Sequence, residues 1–249
     1  MKALILAAGL GTRLKPLTDT RPKALVEIDG VTMLERVIKR LESQGFDDIV
    51  INVHHFSEMV RDFVASKNWR ARIRISDESK RLMDTGGGIV KASEMLFKKN
   101  DDPVLIHNVD IISTAPLAEL IAANASGQTS ATLLVSSRDS SRKVVFDKEM
   151  KLRGWHNLNE DSYRPEDFKK TADMKEFAFS GIYVMSKEGV REMKEIMGNG
   201  SFPVMDYFLN KKRKGLISGI VSENLKLLDI GKPATLSQAS DMLRMISTD

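Results

Sequence analysis

A chain of 249 residues, 42% hydrophobic and 29% charged, is long enough to bury a sizeable core. Its Lys+Arg 38 and Asp+Glu 34 leave a net charge of +4, an interspersed balance that suits anionic small molecules and argues against a nucleic-acid footprint. Cys 0 excludes disulfides, thiolate metal sites and a cysteine nucleophile, so a metal would have to sit on Asp, Glu or His.

The chain opens on Ala3-Leu4-Ile5-Leu6-Ala7-Ala8. This run is too short for a signal-peptide core or a membrane span and reads as a buried strand, which fits a cytoplasmic protein without a membrane partner. Further apolar runs predict strands at 48 to 53, 71 to 76, 103 to 107 and 131 to 136, with amphipathic helices at 32 to 44, 56 to 66, 87 to 97 and 116 to 124. Such alternation predicts an α/β fold with a twisted, mostly parallel sheet whose ligand site lies beyond the carboxyl ends of its strands. After about residue 138 the pattern changes. Lys143–Asp147 and Leu152–Trp155 predict a hairpin, 157 to 175 a long polar loop, and 177 to 185 a strand. Helices follow at 187 to 197 and 203 to 210, strands at 217 to 222 and 226 to 230, and a helix from Pro233 to about Ile246. The basic run Lys211-Lys212-Arg213-Lys214 reads as a solvated loop or helix end. With no internal repeat, the chain is expected to be one domain, residues 1–137 forming its first half and 138–249 completing the same sheet and adding a substrate-facing part.

The chemistry is concentrated in Leu6-Ala7-Ala8-Gly9-Leu10-Gly11-Thr12-Arg13-Leu14-Lys15-Pro16-Leu17-Thr18, directly off the first strand. Small residues let backbone N–H groups approach phosphate oxygens that a Cβ would obstruct, and Arg13 can neutralise them as a planar fork. Gly9 and Gly11 alone equally suit a tight turn. A dinucleotide-binding fingerprint would need glycine at Leu14 and a helix that Pro16 interrupts, which disfavours an oxidoreductase. Arg21-Pro22-Lys23-Ala24-Leu25 places a lysine after a conformationally fixed proline, facing the same crevice. Asp110 and Asp229 each follow an apolar strand, where a carboxylate can serve a ligand or simply cap a turn.

Gly-x-Gly-Thr-Arg-Leu-x-Pro-Leu-Thr followed by Pro-Lys-x-Leu resembles the signature of the sugar-1-phosphate nucleotidyltransferases. Asp84-Thr85-Gly86-Gly87-Gly88-Ile89 is similar to that family's base-binding loop, Asn108-Val109-Asp110 to its metal segment, Phe179-Ser180-Gly181-Ile182 to its sugar-pocket strand and Leu228-Asp229-Ile230-Gly231 to its terminal aspartate motif. The resemblance implies a Rossmann-like mixed sheet flanked by helices with a smaller sugar-binding part. It also implies a nucleoside triphosphate and a sugar 1-phosphate as substrates. Ala8, Gly9, Gly11, Thr12, Gly86, Gly87 and Asn108 would then bind nucleotide, Arg13 and Lys23 would act on the phosphates, and Asn157 and Gly181 would contact sugar. Asp110 and Asp229 would hold Mg²⁺, a hard cation that favours a few carboxylates with waters and phosphate oxygens. Homo-oligomerisation stays open.

The sequence departs from the family at Val109, where glycine is usual, and at Trp155-His156-Asn157-Leu158, where many relatives carry a Glu-Lys pair. His107 reads as a satisfied strand-end histidine, and His54-His55 as strand neighbours that face apart and share no ion. The nearly side-chain-free Thr85-Gly86-Gly87-Gly88 suggests main-chain reading of a compact pyrimidine, or else a structural turn without base contacts. It is similar to the loop of uridylyltransferases acting on an N-acetylated hexose 1-phosphate, while guanylyltransferases acting on mannose or heptose 1-phosphate carry related loops. A catalytically silent relative is a further alternative, against which the retention of Arg13, Lys23, Asp110 and Asp229 argues.

Overall fold

The apolar run that opens the chain is a central strand, β1 (Lys2–Leu6), whose residues point alternately into two cores. Leu4 and Leu6 join one cluster, Ala3 and Ile5 the other, as a side-chain period of two requires. The computed structural model describes residues 1–97, 102–231 and 233–247. A small hairpin, β2 (Glu27–Ile28) and β3 (Val31–Thr32), leads into α1 (Met33–Ser43). Thr32 caps that helix by accepting from the Glu35 N–H at 3.2 Å, and Met33, Leu34, Val37, Ile38 and Leu41 give it one buried stripe. The alternation continues through β4 (Asp48–Val53), α2 (Ser57–Ala65), β5 (Arg72–Asp77), α3 (Asp84–Leu96), β6 (Val104–Asn108), β7 (Ile111–Ser113), α4 (Leu117–Gly127) and β8 (Ala131–Ser136).

The later part runs β9 (Arg142–Phe146), β10 (Leu152–Asn157), β11 (Ser162–Arg164), β12 (Lys175–Met185), α5 (Lys187–Met197), α6 (Val204–Phe208), β13 (Ile217–Val221), β14 (Leu227–Asp229) and α7 (Pro233–Ser247). The segment expected to be one long loop therefore holds a short strand. β11 pairs with the end of β10, and Phe168 packs so close to Gly154 that a Cβ there would lie 2.7 Å from its ring. The basic run at 211–214 is a loop between α6 and β13, with Lys211 ion-paired to Asp167 and the Arg213 guanidinium donating to the Phe208 carbonyl at 3.1 Å.

Ten strands form one sheet in the order β11-β10-β9-β12-β6-β1-β4-β5, with β8 on β12 and β13 on β8. β6, β1, β4 and β5 are mutually parallel, as are β13 and β8, whereas β12 runs antiparallel to β6, β8 and β9. The fold is α/β, with a mixed, mostly parallel central sheet flanked by helices. Residues of α3, α5 and α6 build the core on one face, and those of α1, α2 and α4 the core on the other. β7 and β14 stand apart as a two-stranded ladder, and α7 closes a third small cluster over Ile28, Met33, Ile112 and Ile230. Among the described residues no helix is long and apolar enough to cross a membrane.

Candidate active site

The chain leaves β1 into a glycine-rich turn that packs upon itself. Gly11 has φ +65, and its carbonyl accepts from the Leu14 N–H at 2.8 Å and the Thr18 hydroxyl at 2.9 Å. A Cβ on Gly11 would lie 2.9 Å from Thr18 Cγ2 and 3.1 Å from Lys23 Cβ, so both the left-handed backbone and the close approach demand glycine. Pro22 is extended, and a single helical turn over Lys23–Leu25, closed by Leu25 N–H to the Pro22 carbonyl at 2.9 Å, turns Lys23 inward. Its ammonium meets the Asp110 carboxylate in an ion pair whose side chains are only 11% and 18% exposed.

Asp110 sits at the exit of β6, and the following β7 pairs antiparallel with β14 so that Asp229 stands opposite Ile111. The Ile230 N–H donates to the Asp110 carbonyl at 2.8 Å, joining the two aspartate segments through their backbones. Asp229 keeps an exposed edge, yet desolvation by the surrounding protein, then the charge of Asp110, raises its carboxyl above the ordinary value, while Lys23, Arg13 and Arg138 pull it back. A Cβ on Gly231 would lie 2.7 Å from Asp229 Oδ1 and 2.9 Å from Arg13 Nη2, so guanidinium and carboxylate flank the same glycine. These elements border one cleft of about 420 Å³ at the carboxyl ends of β1, β4 and β6, lined by Ala8, Gly9, Gly11, Thr12, Arg13, Lys23, Asn108 and Asp110, with Gly231 beside Asp229. No group of three His, Cys, Asp or Glu suited to a metal occurs among the described residues. Two crowded hard-oxygen carboxylates nonetheless fit Mg²⁺, which takes the rest of its shell from water and phosphate.

Other expected residues are divided between the cleft and its surroundings. Gly181 has φ +76, and a Cβ there would lie 2.8 Å from Asn108 Nδ2, so these two meet at the cleft's edge. Val109, in place of glycine, is buried and donates to the Leu6 carbonyl at 3.1 Å, a role open to any non-proline residue. Gly86 and Gly87 do not line the cleft. They lie in the first turn of α3, and both N–H groups donate to the Phe202 carbonyl, at 2.9 and 3.3 Å, so these donors are engaged within the protein. Asp84 and Thr85, just ahead of them, line the cleft instead. Asn157 ends β10 away from the cleft lining, its Oδ1 accepting from the Asn159 N–H at 3.2 Å. Beside it, His156 lies 3.0 Å from Glu176 and 3.1 Å from Asp161 and stacks on Tyr163 at 4.0 Å, so this stretch binds its own lobe together. His107 contacts the Asn108 carbonyl through Nδ1 at 2.8 Å and is driven down to about 4 by burial, which keeps it neutral. His54 Nδ1 lies 2.7 Å from the Glu78 carbonyl.

The family pattern described as Nucleotidyl transferase matches residues 2–242. The chain belongs to this family. It is 28% identical to the N-acetylmuramate alpha-1-phosphate uridylyltransferase of Caulobacter vibrioides over 242 residues, 93% of this chain and 92% of that one. It is 33% identical over 153 residues to the probable mannose-1-phosphate guanylyltransferase 1 of Oryza sativa subsp. japonica, 60% of this chain but 42% of the longer relative. Among solved structures, HddC from Yersinia pseudotuberculosis complexed with GMP-PN superposes with a TM-score of 0.75 at 22% identity, covering 97% of this chain and 99% of that one. A putative glucose-1-phosphate thymidylyltransferase from Bacillus anthracis gives a TM-score of 0.77 at 19% identity, with 98% and 95% covered. The protein is thus a sugar-phosphate nucleotidyltransferase.

Three polar side chains of this nucleotidyltransferase escaped the sequence reading. Asn52 lines the cleft from the end of β4, where it is a polar residue in an otherwise apolar run. Behind it lies Glu78, fully buried, its carboxyl raised by desolvation against the pull of its hydrogen bonds. Arg138 follows β8 and donates through Nη2 to the Phe179 carbonyl at 2.9 Å, while its Nε is buried without a partner. Its charge acts on Asp229. A lone Arg beyond a strand carries no distinguishing signal in the sequence.

Proposed function

We propose that this enzyme transfers a uridylyl group from UTP to an N-acetylated hexose 1-phosphate or a similar sugar 1-phosphate, forming a nucleotide sugar and pyrophosphate. The observation that carries the chemistry is the convergence, in one cleft, of the Gly11 turn, Arg13 and Lys23 with Asp110 and the neighbouring Asp229. A sugar-phosphate oxygen attacks the α-phosphorus of the nucleotide in line, and the bond from that phosphorus to the bridging oxygen of the leaving pyrophosphate breaks. The backbone of Ala8 to Thr12 receives the triphosphate, and the Arg13 guanidinium draws charge from the departing pyrophosphate. Lys23 holds the phosphate at the reacting centre. Asp110 and Asp229 would hold Mg²⁺, which supplies charge neutralisation on the phosphate oxygens. No covalent enzyme intermediate is required, since positioning and fixed charge lower the barrier.

UTP is favoured by the similarity to a uridylyltransferase along almost the whole of both chains, whereas the similarity to mannose-1-phosphate guanylyltransferases spans 60% of this chain in one relative and 76% in another. With the Gly86 and Gly87 N–H groups turned toward Phe202, the base side of the cleft in this reading is formed by Leu82, Asp84 and Thr85. The guanylyl reading rests on the relatives that act on mannose 1-phosphate and on the fold shared with a protein crystallised with GMP-PN. Initial rates with UTP, dTTP, GTP, CTP and ATP, each against a panel of sugar 1-phosphates, with pyrophosphate as readout, test the proposal. UTP should exceed every other nucleotide, and a GTP preference of about tenfold, or about 1.4 kcal/mol, would move the enzyme to the guanylyl branch.

A further inference from the structure

Glu78 is a carboxylate with 0% exposure, and a carboxylate buried without a cation is costly unless each oxygen is hydrogen-bonded. Here its oxygens are met by two amide donors from two different elements. The Asn52 Nδ2 donates to Oε1 at 2.8 Å, and the N–H of Met83, the residue just ahead of α3, donates to Oε2 at 3.1 Å. Asn52 in turn accepts the Ala7 N–H on its Oδ1 at 2.7 Å. The chain of bonds runs from the first residue of the phosphate turn, through the end of β4, to the N-terminus of α3. Gly88 leaves room for it, since a Cβ there would lie 2.8 Å from both Asn52 Nδ2 and Glu78 Oε1.

One end of this chain, Ala7 with Asn52, borders the cleft on the phosphate side, and the other end, Met83, directly precedes Asp84 and Thr85, which line it on the other. We infer that Asn52 and Glu78 are positioning residues that fix the distance between the phosphate turn and the α3 terminus, and so set affinity for the nucleotide. This rests on the nucleotidyl-transfer reading of the cleft. Only a group that accepts at both oxygens can replace Glu78, because Asn52 Nδ2 and Met83 N–H are both donors. The amide introduced by Glu78→Gln would set one N–H against another. Turning Asn52 into aspartate at the same time reverses the middle bond: the amide at position 78 then donates to the carboxylate at position 52, which still accepts from Ala7, and every atom is paired again.

The test compares Glu78→Gln, Asn52→Asp and the double variant Asn52→Asp/Glu78→Gln. Calorimetry with non-hydrolysable analogues of UTP and GTP gives affinity, turnover gives KM for each substrate, and thermal melting reports the fold. Each single variant should weaken nucleotide binding at least tenfold and raise the nucleotide KM in step, with the sugar-phosphate KM changing less than threefold. The double variant should return to within threefold of the parent. Unchanged affinity in Glu78→Gln, or a double variant that melts like the parent but binds as weakly as the singles, would overturn the inference, as would equal rises in both KM values. If either single variant fails to fold, Asn52→Ala, which removes only the links made by Asn52, takes its place, and parental nucleotide affinity there also overturns it. Parent protein that binds nucleotide but transfers nothing to any sugar phosphate refutes the transfer reading while leaving the positioning test intact. A parent that binds no nucleotide refutes both.

Discussion

Replacing Lys23 by Met removes one charge from a site in which that charge has two separable roles. At rest its ammonium neutralises Asp110, whose own charge already raises the neighbouring Asp229. With side chains 11% and 18% exposed, this pair lies between a surface ion pair, worth about 0–1 kcal/mol, and a buried one, whose breaking costs about 3–5 kcal/mol. A loss of about 2–3 kcal/mol is expected, which lowers the melting temperature of a chain this size by about 5–10 °C. In the proposed mechanism the same group faces phosphate, where one fixed cation in a water-poor site contributes about 3 kcal/mol, so the rate should fall about 100-fold. The double variant Lys23→Met/Asp110→Asn separates these roles, because it removes the orphaned carboxylate without restoring the cation. Melting scans in metal-free buffer should show most of the lost stability regained, and pyrophosphate release should show no recovery of rate. Turnover of Lys23→Met within threefold of the parent, or a double variant that melts as low as the single, would refute the electrostatic account.

Chelation should abolish turnover and added Mg²⁺ restore it, with Asp110→Asn and Asp229→Asn each at least about 100-fold slower but folded by circular dichroism; full activity in excess chelator excludes the metal assignment. Gly181→Ala should cost about 1–2 kcal/mol of stability and about tenfold in turnover, from its φ of +76 and the 2.8 Å approach to Asn108, whereas Gly30→Ala, at φ +73 with nothing within 4 Å, should lose stability alone. Burial acts to raise the Asp147 carboxyl, but the Lys151 and Glu149 N–H groups and the Arg153 guanidinium outweigh it and hold it below its ordinary value. That stabilisation is present above the unfolded value of 3.8 and disappears as pH falls through the lower folded value. Asp147→Asn should therefore melt below the parent by about 1–2 kcal/mol at pH 7, and the two curves should converge in acid.

β1, β4 and β8 were legible because they are largely apolar runs, and α1 because its buried residues recur at helical spacing. Short elements were not. The β2–β3 hairpin turns at Asp29 and Gly30, both at positive φ, yet its two-residue strands leave no period to read. β7 is likewise too brief to separate from the turn after Asp110. The phosphate turn and both aspartates were recognisable as a motif, whereas the orientation of Gly86 and Gly87 was not, because it depends on a carbonyl at Phe202 that only folding brings near. The surroundings of Asn157 were hidden for a related reason. Its neighbours His156, Glu176 and Asp161 form a lobe whose contacts no local pattern announces. Asn52 and Glu78 are single polar residues at strand ends, and their significance lies in a hydrogen-bond relay that spans three elements.

All ten strands of the main sheet precede residue 222, whereas Asp229 arrives on the separate β7–β14 ladder. During synthesis from the N-terminus, Asp110 and Lys23 emerge and can dock long before their second carboxylate exists. A nascent chain can thus possess the whole sheet and the phosphate turn while still lacking half of the pair assigned to the cation. The last step in building this centre is the addition of a three-residue strand by its register against Ile111, and a slip of one residue there would turn Asp229 to the opposite face with the cores intact.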